Sequence, residues 1–570
     1  MKNKAQLILL VSGIILFTPF FSFAQKRPFS TEEKMKMHNE RPGDPYLPNP
    51  YNGTKTSPAG NYYGSGIITR QVNVNSSGQN ILGDAANEPS IAVDPADPNH
   101  ITIGWRQFDN VGSNFRQAGW SYSSDAGMNW TFPGVIDPGV FRSDPVLGFD
   151  TTGNFYYNSL TYDGTNYMCK VFKSTNGGAA WNAGVDARGG DKQWMTLDRT
   201  SGTGSGNIYS FWTSYYSVCL PGFFTRSSNG GSSFEDCVQV GGNPYWGNMA
   251  VGPDGELYCA GGGAVDGLMV SKSINAQVPG SSIIWNFSTQ IYMDGYVTGS
   301  APINPVGILG QANVAVDCSS GPGRGNVYVL AALQRISNGD PGDVMFARST
   351  DGGHTFSTPL QINDDGSFIN TQWLAVMSVA PNGRIDVAWL DTRDDLTYTD
   401  QSALYYSYSN DQGATWSVNE KLSESFDPHV GYPQQDKMGD YFDMVSDNTG
   451  AHLAWTNTLN GEEDVYYSHI TPGTTGINDG KGKDNYVSLS CFPNPVKTEA
   501  QFRYQIKDEC AVNMVICDVS GKEISTLVNK MQTAGIYTVD FSAGRLAPGY
   551  YLCRLTAGTA MIYTRLVVVK

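Results

Sequence analysis

The chain has 570 residues, more than one hydrophobic core usually holds, so at least two domains are expected. Asp and Glu number 53 against 37 Lys and Arg, and the formal charge of −16 argues against nucleic acid as a partner. Aromatic residues reach 12%, a share that suits sheet interiors and carbohydrate-facing surfaces.

Lys2 and Lys4 precede an apolar run from Leu7 to Phe21, and Ser22-Phe-Ala24 offers small residues before Gln25. Residues 1–24 therefore read as a secretory signal peptide. The run is short for a membrane span and nothing like it recurs, so no transmembrane segment is expected. Residues 25–65, rich in Pro, Asn, Gly and charge, read as a poorly ordered lead-in. Gly66 to Val74 alternates like a strand, and it is the candidate to complete a sheet with the last unit of the domain that follows.

Six variants of one eight-residue phrase then recur. They are Ser123 to Trp130, Ser174 to Trp181, Ser227 to Phe234, Ser349 to Phe356, Ser409 to Trp416, and a decayed copy from Ser273. Ser and Asp or Asn can hydrogen-bond the amides of their own turn, Gly at the fifth position tolerates positive φ, and the final Trp or Phe acts as an apolar staple. Each phrase is a rim turn in a longer unit of paired strands, such as Ile91 to Pro95 with Ile101 to Trp105, or Met377 to Gly383 with Ile385 to Trp389. Units start near Ile91, Val146, Trp194, Asn248, Asn313, Leu374 and Asp443, with no convincing amphipathic helix among them. The phrase S-x-D-x-G-x-x-W resembles the Asp-box (BNR) repeat of sialidase-like β-propellers. That resemblance implies an all-β propeller over residues 66–470, and the seven unit starts make it seven-bladed, with six blades as the alternative.

Residues 471–487 are polar and Gly-rich and read as a linker. Residues 488–570 alternate short strands with Gly turns, from Cys491-Phe-Pro-Asn-Pro495 through Leu546-Ala-Pro-Gly-Tyr-Tyr551 to Val-Val-Val-Lys570, and predict a small C-terminal β-sandwich. The order of these phrases resembles the C-terminal sorting domain (Por secretion tail) of proteins exported by the type IX system of Bacteroidetes. It implies transit through the periplasm, engagement of that machinery, and release or attachment at the outer-membrane surface.

Export permits disulfides, although nine cysteines leave at least one unpaired. Cys219 and Cys237 flank the third phrase and are the candidate pair. The six histidines show no ligand spacing, so no His-based metal site is expected.

Function in a propeller gathers where the inner strands begin. Those positions hold polar and aromatic residues that suit a sugar-binding mouth: Asp191, Gln193, Trp194, Trp246, Gln372, Trp373 and Asp440. A sialidase, by resemblance, holds a carboxylate with three arginines and attacks through a tyrosine activated by a glutamate. Arg106, Arg142 and Arg393 are the arginines best placed for this. Glu88 or Asp144 would supply the carboxylate, and Tyr441 or Tyr432 the phenol. The family's Arg-Ile-Pro phrase is absent before the first copy. No cofactor is indicated, Ca²⁺ being the ion that the acidic set Glu88, Asp144, Asp191 and Asp440 could take. The expected role is therefore engagement of extracellular glycans or glycoproteins by binding. An exo-sialidase or other glycoside hydrolase, and a structural surface adhesin, are the alternatives.

Overall fold

The structure is a computed structural model that describes residues 43–569, apart from 65, 264–265, 299–300, 396–399, 474–487, 493–495, 507–508, 519–521 and 559. The signal peptide and most of the linker lie outside the described residues. The chain is all-β, with two single-turn 3₁₀ segments, Ser214–Tyr216 and Ala543–Arg545, among the described residues.

Seven antiparallel sheets follow one another in the N-terminal part. Their first strands are Ala85–Val93, Ser143–Phe149, Trp194–Leu197, Met249–Val251, Asn313–Val316, Gln372–Val379 and Asp443–Ser446. Each first strand lies against the first strand of the next sheet, and that of the seventh lies against that of the first. Within a sheet the strands mostly run outward in chain order, as in Ala85–Val93, Ile101–Phe108, Gln117–Ser123 and Thr131–Ile136. The seventh sheet is completed from the other end of the domain. Ile67–Gln71 pairs with Asp464–Ile470 in the register Ile67↔Ile470 to Gln71↔Tyr466. Asn61–Gly64 adds the outer edge, so part of the lead-in is ordered strand.

Second strands carry buried tryptophans whose indole N–H groups are satisfied locally. Trp105 donates to Gln107 Oε1 at 2.7 Å, Trp389 to Asp391 Oδ2 at 2.8 Å, and Trp455 to Ser468 Oγ at 2.8 Å. This lets a large apolar ring fill the space between sheets without an orphaned donor.

The recurring phrase folds alike in its five full copies. In the first, Ser123 Oγ donates to Asp125 Oδ1 at 2.8 Å and accepts from Gly127 N at 2.9 Å, while Asp125 Oδ1 accepts from Asn129 N at 2.9 Å. In the decayed copy Ser273 Oγ still donates to Asn275 Oδ1 at 3.2 Å. The glycine matters because the turn presses on a neighbouring sheet. Gly127 has φ 81°, and a Cβ there would come 2.2 Å from the ring of Tyr467 in the seventh sheet. Trp130, the staple of the same phrase, packs on that tyrosine at 5.4 Å.

The tail forms a three-stranded sheet, Ser488–Phe492, Glu499–Ile506 and Gly535–Ser542, and a four-stranded one, Glu523–Gln532, Cys510–Cys517, Gly549–Ala557 and Ala560–Val568. Phe502, Tyr504 and Ile506 from the first sheet and Met514, Ile516 and Leu555 from the second share one core, which makes the tail a sandwich.

Gly127→Ala should destabilise the chain by about 1–3 kcal/mol, through positive φ and the collision with Tyr467. Gly78→Ala has a comparable φ of 70° but open space around the added methyl, and should cost about 1 kcal/mol. Urea unfolding of the two variants separates strain from overpacking, and equal losses would mean that the turn does not press on the seventh sheet.

Candidate functional site

Near the start of every first strand one residue takes positive φ: Glu88 (49°), Asp144 (48°), Lys192 (57°), Trp246 (51°), Gly310 (137°), Leu374 (50°) and Gly439 (113°). Pairing slips at several of these points, for instance between Asn87 and Ser90 and between Trp373 and Val376. A bulge of this kind re-aims side chains. The ones it brings together are charged.

Glu88 receives Arg106 Nε at 3.1 Å on one oxygen and Lys437 Nζ at 2.9 Å on the other. Lys437 and Lys192 both reach Asp440 Oδ2 at 2.6 Å, and Lys192 lies 3.7 Å from Asp191 Oδ1. Asp144 accepts from Lys192 N at 3.2 Å and from Ser143 Oγ at 2.7 Å, and that serine accepts from Arg116 Nε at 3.1 Å. Arg106 also donates to Asn87 Oδ1 at 2.8 Å and Gln435 Oε1 at 2.6 Å. The cluster therefore joins residues of the first, second and third sheets to the loop leading into the seventh.

All of these charges are removed from water. Glu88, Arg106 and Asp191 are 0% exposed, and Asp144, Lys192, Lys437 and Asp440 are 1% exposed. Burial raises the Glu88 carboxyl, with Arg106 and Lys437 working against the shift. Burial also pushes Asp191 up to about 7 against the pull of Lys192. For Lys192 burial acts downward, but Asp191, Asp440, Asp144 and Glu88 override it and hold the ammonium charged. Lys437 is lowered by burial despite Asp440 and Glu88. Stripping one partner from such a set leaves a buried charge uncompensated, at a cost of about 3–5 kcal/mol. Lys437 places its ammonium between Glu88 and Asp440.

The other residues nominated from the sequence are placed as follows. Arg142 pairs with Asp137 Oδ2 at 2.7 Å and lies over the Phe172 ring at 4.8 Å. Arg393 belongs to a different cluster, held by Asp391 Oδ2 at 2.8 Å and Asp364 Oδ1 at 2.7 Å. The three arginines thus take different carboxylate partners, Glu88, Asp137 and Asp391 with Asp364. Tyr441 donates its hydroxyl to the Pro145 carbonyl at 2.7 Å, and burial together with Glu88 and Asp144 pushes its phenol well up. That is the opposite of an activated nucleophile. The Tyr432 phenol is raised as well, chiefly by burial.

The stacking role expected of the tryptophans meets buried rings. Trp373 is 0% exposed with its N–H on Ser402 Oγ at 3.1 Å, and Trp246 is 1% exposed against Tyr245. Trp194 packs edge-on to Tyr441 at 5.4 Å. Gln372 bonds Asp391 Oδ1 at 3.1 Å, and Gln193 donates to the Asp144 carbonyl. Lys192, Lys437 and Arg116 were not nominated. The two lysines stood beside nominated acids, but sequence offers no signal that distinguishes a buried lysine from a solvated one.

An open surface feature lies elsewhere. Cys219 and Cys237 form a disulfide with Cα atoms 6.2 Å apart. Beside it a groove of about 780 Å³ is lined by residues including Pro221, Phe223, Gln239, Asn243 and Trp285. Trp285 donates to the Gln239 carbonyl at 2.7 Å and meets Phe224 edge-on at 5.5 Å, so its ring is held in place.

Residues 490–570 match the family model of a secretion system C-terminal sorting domain. The tail is an export signal. The protein is carried by the type IX secretion machinery to the cell surface or released from it. No helix among the described residues is long and apolar enough to cross a membrane.

No curated protein matches the chain significantly. Among solved structures, it is similar to a protein of unknown function from Dyadobacter fermentans, at 14% identity and a TM-score of 0.41, covering 71% of this chain and 99% of that one. It is similar to a fungal alcohol oxidase of the AA5 family in complex with copper, at 11% identity and a TM-score of 0.45, covering 91% and 100%. A Trypanosoma rangeli sialidase mutant displaying trans-sialidase activity is similar at 8% identity and a TM-score of 0.34, covering 93% and 89%. At these identities and scores the similarities do not extend to an activity.

Burial of Asp191 gives a pH signature. An unfolded aspartate titrates near about 4, and this one near about 7 in the fold. Folding therefore favours its protonated form, so the contribution is full below about pH 4 and is lost as pH rises through about 7. Whatever its net effect, the stability of Asp191→Asn relative to the parent should be higher at pH 8 than at pH 4 by up to about 4 kcal/mol. Urea unfolding at the two pH values measures this, and a difference independent of pH would show that Asp191 does not titrate as a buried acid.

Proposed function

We propose that the chain is an exported seven-bladed propeller that binds extracellular glycans or glycoproteins without turning them over. The blade count is supported by seven successive sheets whose first strands neighbour one another in turn, the last beside the first.

Burial of the axial charges is the observation that carries the binding reading. A glycosidase must present two carboxylates to its substrate, and a sialidase its arginines. Here Glu88, Arg106, Asp144 and Asp191 are at most 1% exposed, and their charges face one another and the lysines. In this reading the axis is a scaffold and the ligand is taken by the groove beside the disulfide. Its volume of about 780 Å³ suits a short saccharide. Trp285 and Pro221 offer flat apolar surface, while Gln239 and Asn243 offer amide groups for hydroxyls.

Glycan-array binding and hydrolysis of a fluorogenic sialoside by the exported chain test this together. Saccharide binding is expected, weakened at least about tenfold in Trp285→Ala and Asn243→Ala, a loss of about 1.4 kcal/mol, with no hydrolysis. Turnover abolished by Arg106→Ala in a folded variant would overturn the reading in favour of an enzyme. Folded protein with no saccharide affinity would point to a structural adhesin.

A further inference from the structure

We propose that Asp447, His452 and His469 form a binding site for a divalent transition metal of the Zn²⁺ class on the seventh sheet. Far apart in sequence, the two histidines are direct cross-strand partners between Ala451–Asn457 and Asp464–Ile470. Direct partners project from the same face of a sheet. Their rings lie 4.8 Å apart, and Asp447 sits in the turn leading into the first of these strands. One donor atom from each of the three residues can be chosen so that all lie within 4.8 Å of one another.

The supporting contacts orient two of the three donors. Asp447 Oδ1 is committed to its turn, accepting from Thr449 N at 2.7 Å, Thr449 Oγ1 at 2.7 Å and Gly450 N at 2.9 Å. Oδ2 is left to face His452 Nε2 at 3.2 Å. His452 Nδ1 meets the Tyr467 hydroxyl at 2.8 Å, the arrangement in which a ligating imidazole is fixed through its other nitrogen. A tetrahedral zinc with bonds of about 2.0–2.1 Å sets its ligands roughly 3.3 Å apart. The Asp447 and His452 donors already have that spacing, so closing the site needs His469 to swing toward them.

The His469 ring lies over Gly450, which has no side chain to stand in its way. A side chain at Gly450 would bring a Cβ within 2.9 Å of its Nε2. Thr449 Oγ1, 3.5 Å from that nitrogen, or a water could complete the shell. Arg384 donates through Nη2 to the Asp447 carbonyl at 2.8 Å. Its charge is taken up by Asp386 at 2.8 and 2.9 Å, so it does not stand unopposed against a bound ion. Two imidazoles and a single carboxylate oxygen suit zinc, whereas Ca²⁺ asks for an all-oxygen shell. Because His469 also pairs with Ile68, a metal here would tie the turn, both C-terminal strands and the N-terminal strand of this sheet.

The test uses the whole exported chain, stripped with a chelator, titrated with Zn²⁺ by calorimetry and followed by thermal unfolding. One Zn²⁺ per chain is expected, with a melting temperature that climbs with the logarithm of free Zn²⁺. His469→Ala, at a half-buried position, should weaken binding by at least about 100-fold, and Tyr467→Phe by roughly tenfold. Co²⁺ should give the visible absorption of a tetrahedral site in the parent and not in His469→Ala. No Zn²⁺ binding by the parent, unchanged affinity in His469→Ala, or ready displacement of Zn²⁺ by Ca²⁺ would overturn the proposal.

Discussion

The seam between the first and seventh sheets is the constraint on which the N-terminal domain depends. Within the seventh sheet a backbone ladder joins Ile67–Gln71 to Asp464–Ile470, so the two ends of the domain share one sheet. On the seam's inner side the contacts are made by side chains. Glu88 meets Lys437, Arg106 meets Gln435, Asn87 meets Glu463, and Ser90 donates to Asp443 Oδ2 at 2.5 Å. These pairs hold the start of the first strand against the loop that leads into the last one.

Charge and backbone strain meet at the same residues. Glu88, Asp144 and Lys192 occupy left-handed backbone positions that cost on the order of 1–3 kcal/mol each. They are also members of the buried ion network. Packed surroundings can over-determine such conformations, and here the network does so by requiring each charge to face its partner. These charges face one another and are sealed from water. The groove beside the Cys219–Cys237 disulfide, with its fixed tryptophan, instead presents amide and aromatic side chains at the surface.

The export signal belongs to the tail. The sorting domain has its own core, built from Phe502, Met514, Leu555 and their neighbours in two facing sheets. Its signal is a property of residues 490–570.

What the sequence determined by itself is what short-range chemistry can enforce. The recurring phrase declares its turn because Ser123, Asp125 and Gly127 bond within five residues of one another. Strand pairs declare themselves through alternation and intervening turns, and the tail through the order of its phrases. The candidate site was legible only as a set of polar residues at the starts of strands. Whether Trp373 faces solvent or is sealed against Ser402, and whether Arg393 joins Arg106 or pairs with Asp391, depends on how separate sheets approach. The same holds for Lys437, which meets Glu88 across almost the whole length of the domain, and for His452 and His469, which only strand register sets side by side. Tertiary structure decided these matters because burial and ion pairing are properties of neighbours in space, and residue spacing along the chain carries no record of those neighbours.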